Sequence, residues 1–290
     1  MRVARAAANP GGDAVFAAIT DDGDMYRLPV DSFPALLEAA RGEGESPQAW
    51  ITARLDGQRP FGKYDERMTQ LPVAPAEVWA AGVTYERSRS ARSEAVGGAA
   101  KSEPTIYDKV YEAERPELFF KSTASRLAAP GGQVRLRSDS NSQVPEPELV
   151  LVLDREGKIA GYTAGNDMSA RDIEKDNALY IPQAKIWNGS CSIGPAIRLA
   201  DPEENPYEWT IRARIVRGDA AVWEADASVG QLKRKLTELA EYLFRDNVFE
   251  DGTCLFTGTC IVPPEPFTLA SGDRIEITID RIGTLVNEVK

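Results

Sequence analysis

The chain places two glutamates at the start of an apolar run, in the stretch QVPEPELVLVLD from Gln143 to Asp154. Side chains alternate between the two faces of a strand, so Glu146 and Glu148 point the same way, about 6.5 Å apart. Two unpaired carboxylates at the edge of a core repel each other, and a divalent cation would neutralise both. Carboxylate oxygens suit Mg²⁺ or Mn²⁺. The pattern is typical of a metal site, although Glu-x-Glu is also common at exposed strand starts.

A third carboxylate is predicted to return to the same place. The stretch IAGYTAGND follows ELVLVLD after the polar turn DREGK, which predicts a hairpin. The end of the second strand of a hairpin lies beside the start of the first. We therefore expect Asp167 beside the two glutamates. Further on, Ser169 and Asp172 fit a capping box that opens a short helix.

The chain contains no histidine. Ser-His-Asp triads, Cys-His dyads and histidine zinc sites are therefore excluded. Three carboxylates on one divalent ion would leave one negative charge uncompensated, and Lys185 in PQAKIWNG is a candidate counter-ion, with a surface lysine beside Trp187 as the less favoured alternative. A Schiff base at Lys185 is disfavoured, because it needs a lowered pKa and neighbouring carboxylates raise the pKa of a lysine.

The stretch RPELFFKS supplies a candidate acid–base group. Glu117 precedes Phe119 and Phe120, and desolvation by these rings would raise its pKa. Such a carboxyl can remove a proton and then protonate a leaving hydroxyl. A solvated position before a strand is the alternative. Lys121 falls on the strand face of Glu117, where we expect it to hold a substrate carboxylate or to lie at a solvated strand end.

These motifs together resemble the fumarylacetoacetate hydrolase family over roughly residues 75–290, and GDRIEITIDRIGTLVN resembles the C-terminal hairpin of that family. The resemblance implies a β-sandwich roll and a homodimer or higher homo-oligomer. It also implies a set of site residues: metal ligands at Glu146, Glu148 and Asp167, an arginine beside the metal at Arg171, an active-site lysine at Lys185, and a substrate-carboxylate contact at Thr259.

The chain departs from the hydrolytic members of the family after the first strand of the matching region. Those members carry Tyr-x-x-His-x-x-Glu, whereas this chain has Tyr85, then Ser88 at the histidine position and Ala91 at the glutamate position. Neither replacement can activate water as a base near neutral pH, so hydrolysis by that route is disfavoured. The family's glutamine after SARDI is here Glu174. We expect Tyr85, Ser88 and Glu174 to contact substrate.

The stretches GVTYERS, RPELFFKS and CSIGPAI resemble the sugar-acid branch of the family. This resemblance implies Mg²⁺-dependent dehydration of a 2-keto-3-deoxypentonate to 2,5-dioxopentanoate through a metal-stabilised enolate, with Mn²⁺ or Ca²⁺ as alternative metals. Glu117 matches a glutamate of that branch and is the preferred base. Glu174 is the less favoured alternative, because Asp172, Lys175 and Asp176 would give it polar surroundings that favour a fixed charge.

Two other interpretations stay open. One is an acylpyruvate hydrolase or oxaloacetate decarboxylase activity of the same superfamily. The other is a non-catalytic 2-oxo-acid or metal-binding protein that has lost its base, an option that Ser88 and Ala91 keep open. Formation of product from a 2-keto-3-deoxy acid with Mg²⁺ would separate a catalyst from such a binding protein.

The chain is predicted to contain two domains. Residues 1–72 contain a hairpin around the turn TDDGD and a short helix, SFPALLEAARG, which predict a small N-terminal α/β domain. Prolines in LPVAPAEVW are typical of a connector. Residues 75–290 are β-rich, with one clear amphipathic helix in SVGQLKRKLTELAEYLF. The predicted fold is α+β and β-rich, a mixed β-sandwich roll with peripheral helices.

Composition restricts the partners. The net charge of −11 disfavours nucleic acid, and no apolar run is long enough to span a membrane. No secretory signal is recognisable, and three cysteines without a C-x-x-C pair predict reduced thiols in the cytoplasm. The expected partner is a small 2-oxo acid.

The segment from Ser90 to Lys101, rich in Ala, Gly and Ser, predicts a lid.

Overall fold

The computed structural model describes residues 1–87, 89–90 and 104–290. Ser88, and the predicted lid apart from Ser90, lie outside these residues. The helices whose bounds the structure gives are α1 (Phe33–Gly42), α2 (Pro47–Leu55), α3 (Ile106–Glu112), α4 (Arg171–Asp176), α5 (Ile181–Lys185) and α6 (Leu236–Phe244).

The strands are β1 (Arg2–Ala6), β2 (Val15–Ile19), β3 (Asp24–Arg27), β4 (Gly62–Lys63), β5 (Val78–Gly82), β6 (Glu117–Ser122), β7 (Leu127–Ala128), β8 (Gln133–Val134), β9 (Gln143–Val144), β10 (Pro147–Leu153), β11 (Ile159–Asp167), β12 (Ser169–Ala170), β13 (Cys191–Leu199), β14 (Thr210–Arg217), β15 (Ala220–Ser228), β16 (Thr253–Phe256), β17 (Arg274–Ile279) and β18 (Gly283–Val289). A large sheet has the order β4-β3-β2-β1-β13-β11-β10-β16-β5-β6, with β7 beside β13. A second sheet has the order β15-β14-β17-β18-β8, and β12 pairs with β9. The fold is therefore α+β and β-rich, as the sequence predicts.

Strand β10 lies near the middle of the large sheet and is buried along its whole length. Leu149, Leu151 and Leu153 pack in the core shared with the second sheet. Val150 and Val152 pack on the opposite face, in the core that includes α1 and α2. Burial on both faces explains why the strand is apolar without interruption. The row of valines continues, by alternation, into the glutamate pair at the start of the strand.

Several predicted hairpins are confirmed. Strands β2 and β3 pair around the TDDGD turn, β10 and β11 pair around DREGK, and β17 and β18 pair near the C-terminus. The predicted N-terminal helix is also present as α1. The Ser32 hydroxyl caps it by accepting from the Ala35 N–H at 3.4 Å, and Pro34 lies in the first turn.

The N-terminal segment and the rest of the chain share one sheet. Strand β1 pairs antiparallel with β13, so β1 to β4 extend the large sheet. Helices α1 and α2 pack on one face of that sheet, in a core that includes residues from both segments. The domain boundary that we place at residues 72–75 stays a prediction.

The amphipathic helix predicted from Ser228 to Phe244 is shorter than expected. The structure has a single 3-10 turn at Val229–Gln231 and begins α6 only at Leu236. Between them, Leu232 forms a β-bridge with Tyr85, and the Lys233 N–H donates to the Thr84 carbonyl at 3.0 Å. These tertiary bonds hold the segment out of a helical conformation despite its periodicity. Within the residues that the structure describes, no helix is long and apolar enough to cross a bilayer.

Candidate active site

The hairpin of β10 and β11 brings three carboxylates together. The Glu146 N–H donates to the Asp167 carbonyl, and the Asp167 N–H donates to the Glu146 carbonyl, both at 3.0 Å. Glu148 lies two residues further along, opposite Gly165. One carboxylate oxygen from each of Glu146, Glu148 and Asp167 lies within 4.8 Å of the others, and all three residues are buried. We call these three residues the carboxylate cluster.

A main-chain donor from the end of β16 supports the cluster. The Gly258 N–H donates to Glu148 Oε2 at 2.6 Å. Gly258 has a φ of +93°, and a Cβ atom at this position would collide with the Thr84 hydroxyl. Glycine is therefore required where the chain turns toward Glu148. Gly258 is not among the predicted site residues, although a glycine between two threonines directly after an apolar strand marks such a close approach.

The charges in the cluster oppose one another. Burial raises the pKa of Glu148 well above its usual range, and the neighbouring Asp167 and Glu146 carboxylates raise that pKa further. Lys185, at the end of α5, acts in the opposite direction. Its Nζ lies 2.8 Å from Glu146 Oε2 and 3.3 Å from Asp167 Oδ2. Three buried carboxylates with oxygen-only donors fit a hard divalent cation, which would neutralise their mutual repulsion.

Lys121 is completely buried behind Asp167. Its ammonium lies 2.5 Å from Asp167 Oδ1 and donates to the Met168 carbonyl at 3.1 Å and to the Lys185 carbonyl. The expectation of a solvated strand end for Lys121 is therefore wrong. Strand β6 lies at the end of the large sheet, but α5 packs over it. The alternation of residues along a strand does not indicate whether a helix covers that strand.

A small cavity lies beside the carboxylate cluster. All three members of the cluster line it, together with Glu117, Glu174, Lys185 and Thr259. Glu117 pairs with Gly82 on the neighbouring strand β5. A Cβ atom at residue 82 would collide with the Glu117 carboxylate. The absence of a side chain at Gly82 thus lets the Glu117 carboxylate lie over β5 at the cavity wall.

Glu174 differs from its predicted surroundings. Its side chain is buried and lines the cavity, and the Ser169 hydroxyl lies 3.4 Å from Glu174 Oε2. The charged neighbours in sequence point elsewhere: Asp172 accepts from the Ser140 hydroxyl at 2.5 Å, and Lys175 pairs with Glu265. The sequence neighbours Asp172 and Lys175 bond elsewhere, because a short helix directs successive side chains to different sides, and the buried cavity wall supplies the surroundings of Glu174 instead.

The predicted capping box at the start of α4 is also wrong. Ala170 is the residue that precedes the helix, and no side chain caps it. Ser169 belongs to β12, where it pairs with Val144. Its hydroxyl is directed toward Glu174 instead of the helix N-terminus. The strand pairing removes Ser169 from the position that a cap requires.

Other predicted site residues lie around the cavity. Thr259 lines it, and its hydroxyl lies 3.0 Å from the Pro147 carbonyl and 2.9 Å from the Ile261 carbonyl. Tyr85 and Arg171 lie outside the part of the cavity wall that the structure describes. Arg171 donates to the Pro263 carbonyl at 2.7 Å.

Tyr85 is buried close to the cluster. Burial raises the pKa of Tyr85 well above its usual value, and Cys260 and Glu148 contribute to that rise. Its hydroxyl makes no hydrogen bond to any residue that the structure describes. The contact of Tyr85 with substrate stays a prediction. The same contact predicted for Ser88 falls outside the described residues.

The fold and the site together define a class of protein: a β-rich enzyme in which a buried carboxylate cluster can hold a divalent metal beside a small cavity. The model of the fumarylacetoacetate (FAA) hydrolase C-terminal region matches residues 78–290. The chain belongs to the fumarylacetoacetate hydrolase family.

Among curated relatives, the chain is 43% identical over 276 residues to the 2-dehydro-3-deoxy-D-arabinonate dehydratase of Saccharolobus solfataricus, which covers 94% of this chain and 91% of that protein. It is 44% identical over 224 residues to a probable 2-keto-3-deoxyxylonate dehydratase of Haloferax volcanii, covering 77% of this chain and 75% of that protein.

Solved structures agree with these relatives. The apo form of 2-keto-3-deoxy-D-arabinonate dehydratase matches with a TM-score of 0.81 and 38% identity, covering 100% of this chain and 99% of that chain. Its complex with magnesium and 2,5-dioxopentanoate matches with a TM-score of 0.80 and 37% identity, at the same coverage. The family expected from the sequence is therefore confirmed.

Proposed function

We propose that this protein is a Mg²⁺-dependent hydro-lyase that converts a 2-keto-3-deoxypentonate into 2,5-dioxopentanoate. The observation that carries the proposal is the buried cluster of Glu146, Glu148 and Asp167, in a chain 43% identical to a dehydratase of this kind over 94% of its length. A structural relative that binds magnesium and 2,5-dioxopentanoate supports both the metal and the product. Mn²⁺ or Ca²⁺ are alternative metals.

The carboxylate cluster would hold the metal. Its three side chains offer only oxygen donors, which is the chemistry that Mg²⁺ prefers. When bound, the cation would withdraw electron density from the 2-oxo group of the substrate and make the C3 protons more acidic. Lys185 orients Glu146 Oε2 and Asp167 Oδ2 through its two contacts and neutralises part of their charge.

Glu117 is the proposed proton shuttle. The reaction removes a proton from C3 and the hydroxyl group from C4, which leave together as water. Proton transfers from C5 and its hydroxyl to C3 and C4 then turn the C5 alcohol into an aldehyde, with no oxidant consumed. Glu117 lies at the cavity wall over Gly82, where one carboxylate can take the C3 proton and protonate the departing hydroxyl. Glu174 lines the same cavity and is the alternative.

Contacts to the substrate carboxylate and hydroxyls complete the proposal. Thr259 lines the cavity beside the start of β10, which suits a contact with the substrate carboxylate. Tyr85, Ser88 and Arg171 are proposed as further substrate contacts on the basis of the family resemblance.

The proposal includes a homodimer in the cytoplasm. The homodimer or higher homo-oligomer is proposed on the basis of the family resemblance. The three cysteines are buried and free, as expected for a reducing compartment. Light scattering coupled to size-exclusion chromatography measures the mass of the particle, and a monomer at micromolar concentration would contradict the dimer.

The decisive experiment is a product assay on the purified protein. The protein is incubated with 2-keto-3-deoxypentonates and 2-keto-3-deoxyhexonates, with Mg²⁺ or after treatment with EDTA, and products are identified by NMR. We expect 2,5-dioxopentanoate from a pentonate with Mg²⁺ and none after EDTA. Binding of a 2-oxo acid without any turnover would support a non-catalytic binding protein instead.

A further inference from the structure

Lys121 contacts the cluster from outside the cavity. It extends from β6, is fully buried, and does not belong to the described cavity wall. Its ammonium donates to the Met168 carbonyl at 3.1 Å and to the Lys185 carbonyl, and it forms an ion pair with Asp167, with 2.5 Å from Nζ to Oδ1. The orientation of this ion pair is not that of a hydrogen bond. Because Lys121 is fully buried and lies outside the described cavity wall, the contact that the sequence predicts between Lys121 and a substrate carboxylate has no geometric support.

The two lysines contact different oxygens of Asp167. Lys121 holds Oδ1 from behind, whereas Lys185 lies 3.3 Å from Oδ2 on the side of the cavity. The remaining contacts of Lys121 go to the main chain directly after Asp167 and to the main chain of Lys185 itself. One buried ammonium therefore connects the end of β11 with the end of α5, the two elements that supply Asp167 and Lys185.

This arrangement has a clear electrostatic reason. A buried ammonium is strongly unfavourable unless it is paired and fully hydrogen-bonded. The ring of Trp187, 5.5 Å from Lys121 Nζ, covers the ammonium and separates it further from water. Its positive charge offsets part of the repulsion among the three carboxylates of the cluster before any cation binds.

We propose that Lys121 is a positioning residue for the metal site: it holds Asp167 by Oδ1, so that the carboxylate faces the cavity in the orientation that a divalent cation requires. The inference rests on the proposed metal-dependent function. Partners of this kind, which contact a ligand residue instead of the metal, commonly change metal affinity about 10–100-fold when they are removed.

The test compares Lys121→Met with a matched control, Lys158→Met. Lys158 is an exposed lysine that also pairs with a carboxylate, Glu156 at 2.7 Å, but far from the cluster in the fold. Mg²⁺ binding to the metal-free proteins is measured by isothermal titration calorimetry. We expect Lys121→Met to raise the Kd for Mg²⁺ by about tenfold or more, and Lys158→Met to leave it unchanged. The KM for the 2-oxo acid at saturating Mg²⁺ should stay the same in both variants.

A double-mutant cycle identifies the route of the effect. If Lys121 acts through Asp167, adding Lys121→Met to Asp167→Asn should change the remaining Mg²⁺ affinity by no more than about twofold. An unchanged Kd in Lys121→Met overturns the inference, and so does a raised KM with unchanged Kd, which would identify a substrate contact. A wild-type protein that binds no Mg²⁺ would instead contradict the proposed function itself.

The same test includes whether Lys121→Met folds. The double variant lacks both members of the buried ion pair, so it should fold even where Lys121→Met alone does not. Mg²⁺ should also promote folding of Lys121→Met, because the cation supplies the missing positive charge. If Lys121→Met stays unfolded with Mg²⁺ and in the Asp167→Asn background, Lys121 acts through packing and the inference is wrong.

Discussion

Glu146, directly before β10, and Asp167, the last residue of the neighbouring antiparallel strand β11, lie opposite each other and exchange two main-chain hydrogen bonds of 3.0 Å. The separation of these two proposed ligands is therefore fixed by the central hairpin of a buried sheet. Glu148 follows on the same strand face and is held by the Gly258 N–H. A cluster built on strands holds its geometry better than one built on loops, which suits a site that must receive a cation with strict octahedral preferences.

Replacing Glu148 by Gln should weaken metal binding and, at the same time, stabilise the metal-free fold. The change removes one ligand charge but keeps an oxygen that can accept from Gly258. We expect kcat/KM to fall by about two orders of magnitude or more and Mg²⁺ affinity to fall with it. The metal-free variant should melt at a higher temperature, because the raised pKa of Glu148 means that its charge destabilises the folded chain at neutral pH. Turnover that is unchanged at saturating Mg²⁺ would argue against metal catalysis.

Glu117→Gln and Glu174→Gln distinguish the two candidate bases. With Glu117→Gln we expect dehydration to disappear while Mg²⁺ and the 2-oxo acid still bind, as measured by calorimetry. Solvent deuterium exchange at C3, followed by NMR, should disappear with it, since one group serves both steps. Glu174→Gln should retain exchange. The opposite result, with exchange persisting in Glu117→Gln and lost in Glu174→Gln, would assign the base to Glu174.

Gly258→Ala should weaken both the fold and the metal site. Gly272→Ala is the matched control, since Gly272 also has a positive φ, +89°, but a Cβ atom there has nothing within 4 Å. We expect Gly272→Ala to cost about 1 kcal/mol of unfolding free energy from backbone strain alone. Gly258→Ala should cost more, because its Cβ collides with Thr84, and it alone should raise the Kd for Mg²⁺. Denaturant unfolding and calorimetry measure the two effects, and equal losses in both variants would count against the close approach.

Glu66→Gln should change how stability depends on pH. Burial raises the pKa of Glu66 above its usual 4.5, although hydrogen bonds from Thr284 oppose the rise. A carboxyl with a raised folded-state pKa contributes stability below its unfolded-state pKa, and that contribution is lost as the pH rises through the folded-state pKa. We therefore expect the advantage of Glu66→Gln over wild type to grow between about pH 4 and pH 7. The exposed Glu45→Gln is the control, and a pH-independent difference would contradict the expectation.

The convergence of the carboxylate cluster follows from the sequence because it depends on local rules. Strand alternation places Glu146 and Glu148 on one face, and the short DREGK turn returns Asp167 to their level. The apolar run from Leu149 to Leu153, between Glu148 and the turn, is long enough to identify a buried strand. Each inference uses residues within one hairpin, so no knowledge of distant packing is needed.

The surroundings of Lys121 and Glu174 could not be predicted in the same way. Lys121 is buried because α5, more than fifty residues later in the chain, packs over β6. Glu174 is buried because its short helix turns it toward the cavity, away from its charged neighbours in sequence. Likewise, α6 begins later in the chain than its periodicity predicts, because main-chain bonds to Thr84 and Tyr85 keep the preceding residues out of the helix. Helical periodicity contains no information about such bonds.

Strand β1 covers one edge of β13, so cutting the chain between its two predicted domains would uncover that edge. Strand β13 also pairs with β11, which ends at Asp167. A fragment that begins near residue 75 would expose the N–H and C=O groups of β13 where β1 now lies, one strand away from the proposed catalytic centre. Unprotected edges of this kind recruit strands from other chains. Such a fragment, although it contains every proposed catalytic and metal-ligating residue, should therefore aggregate when expressed alone.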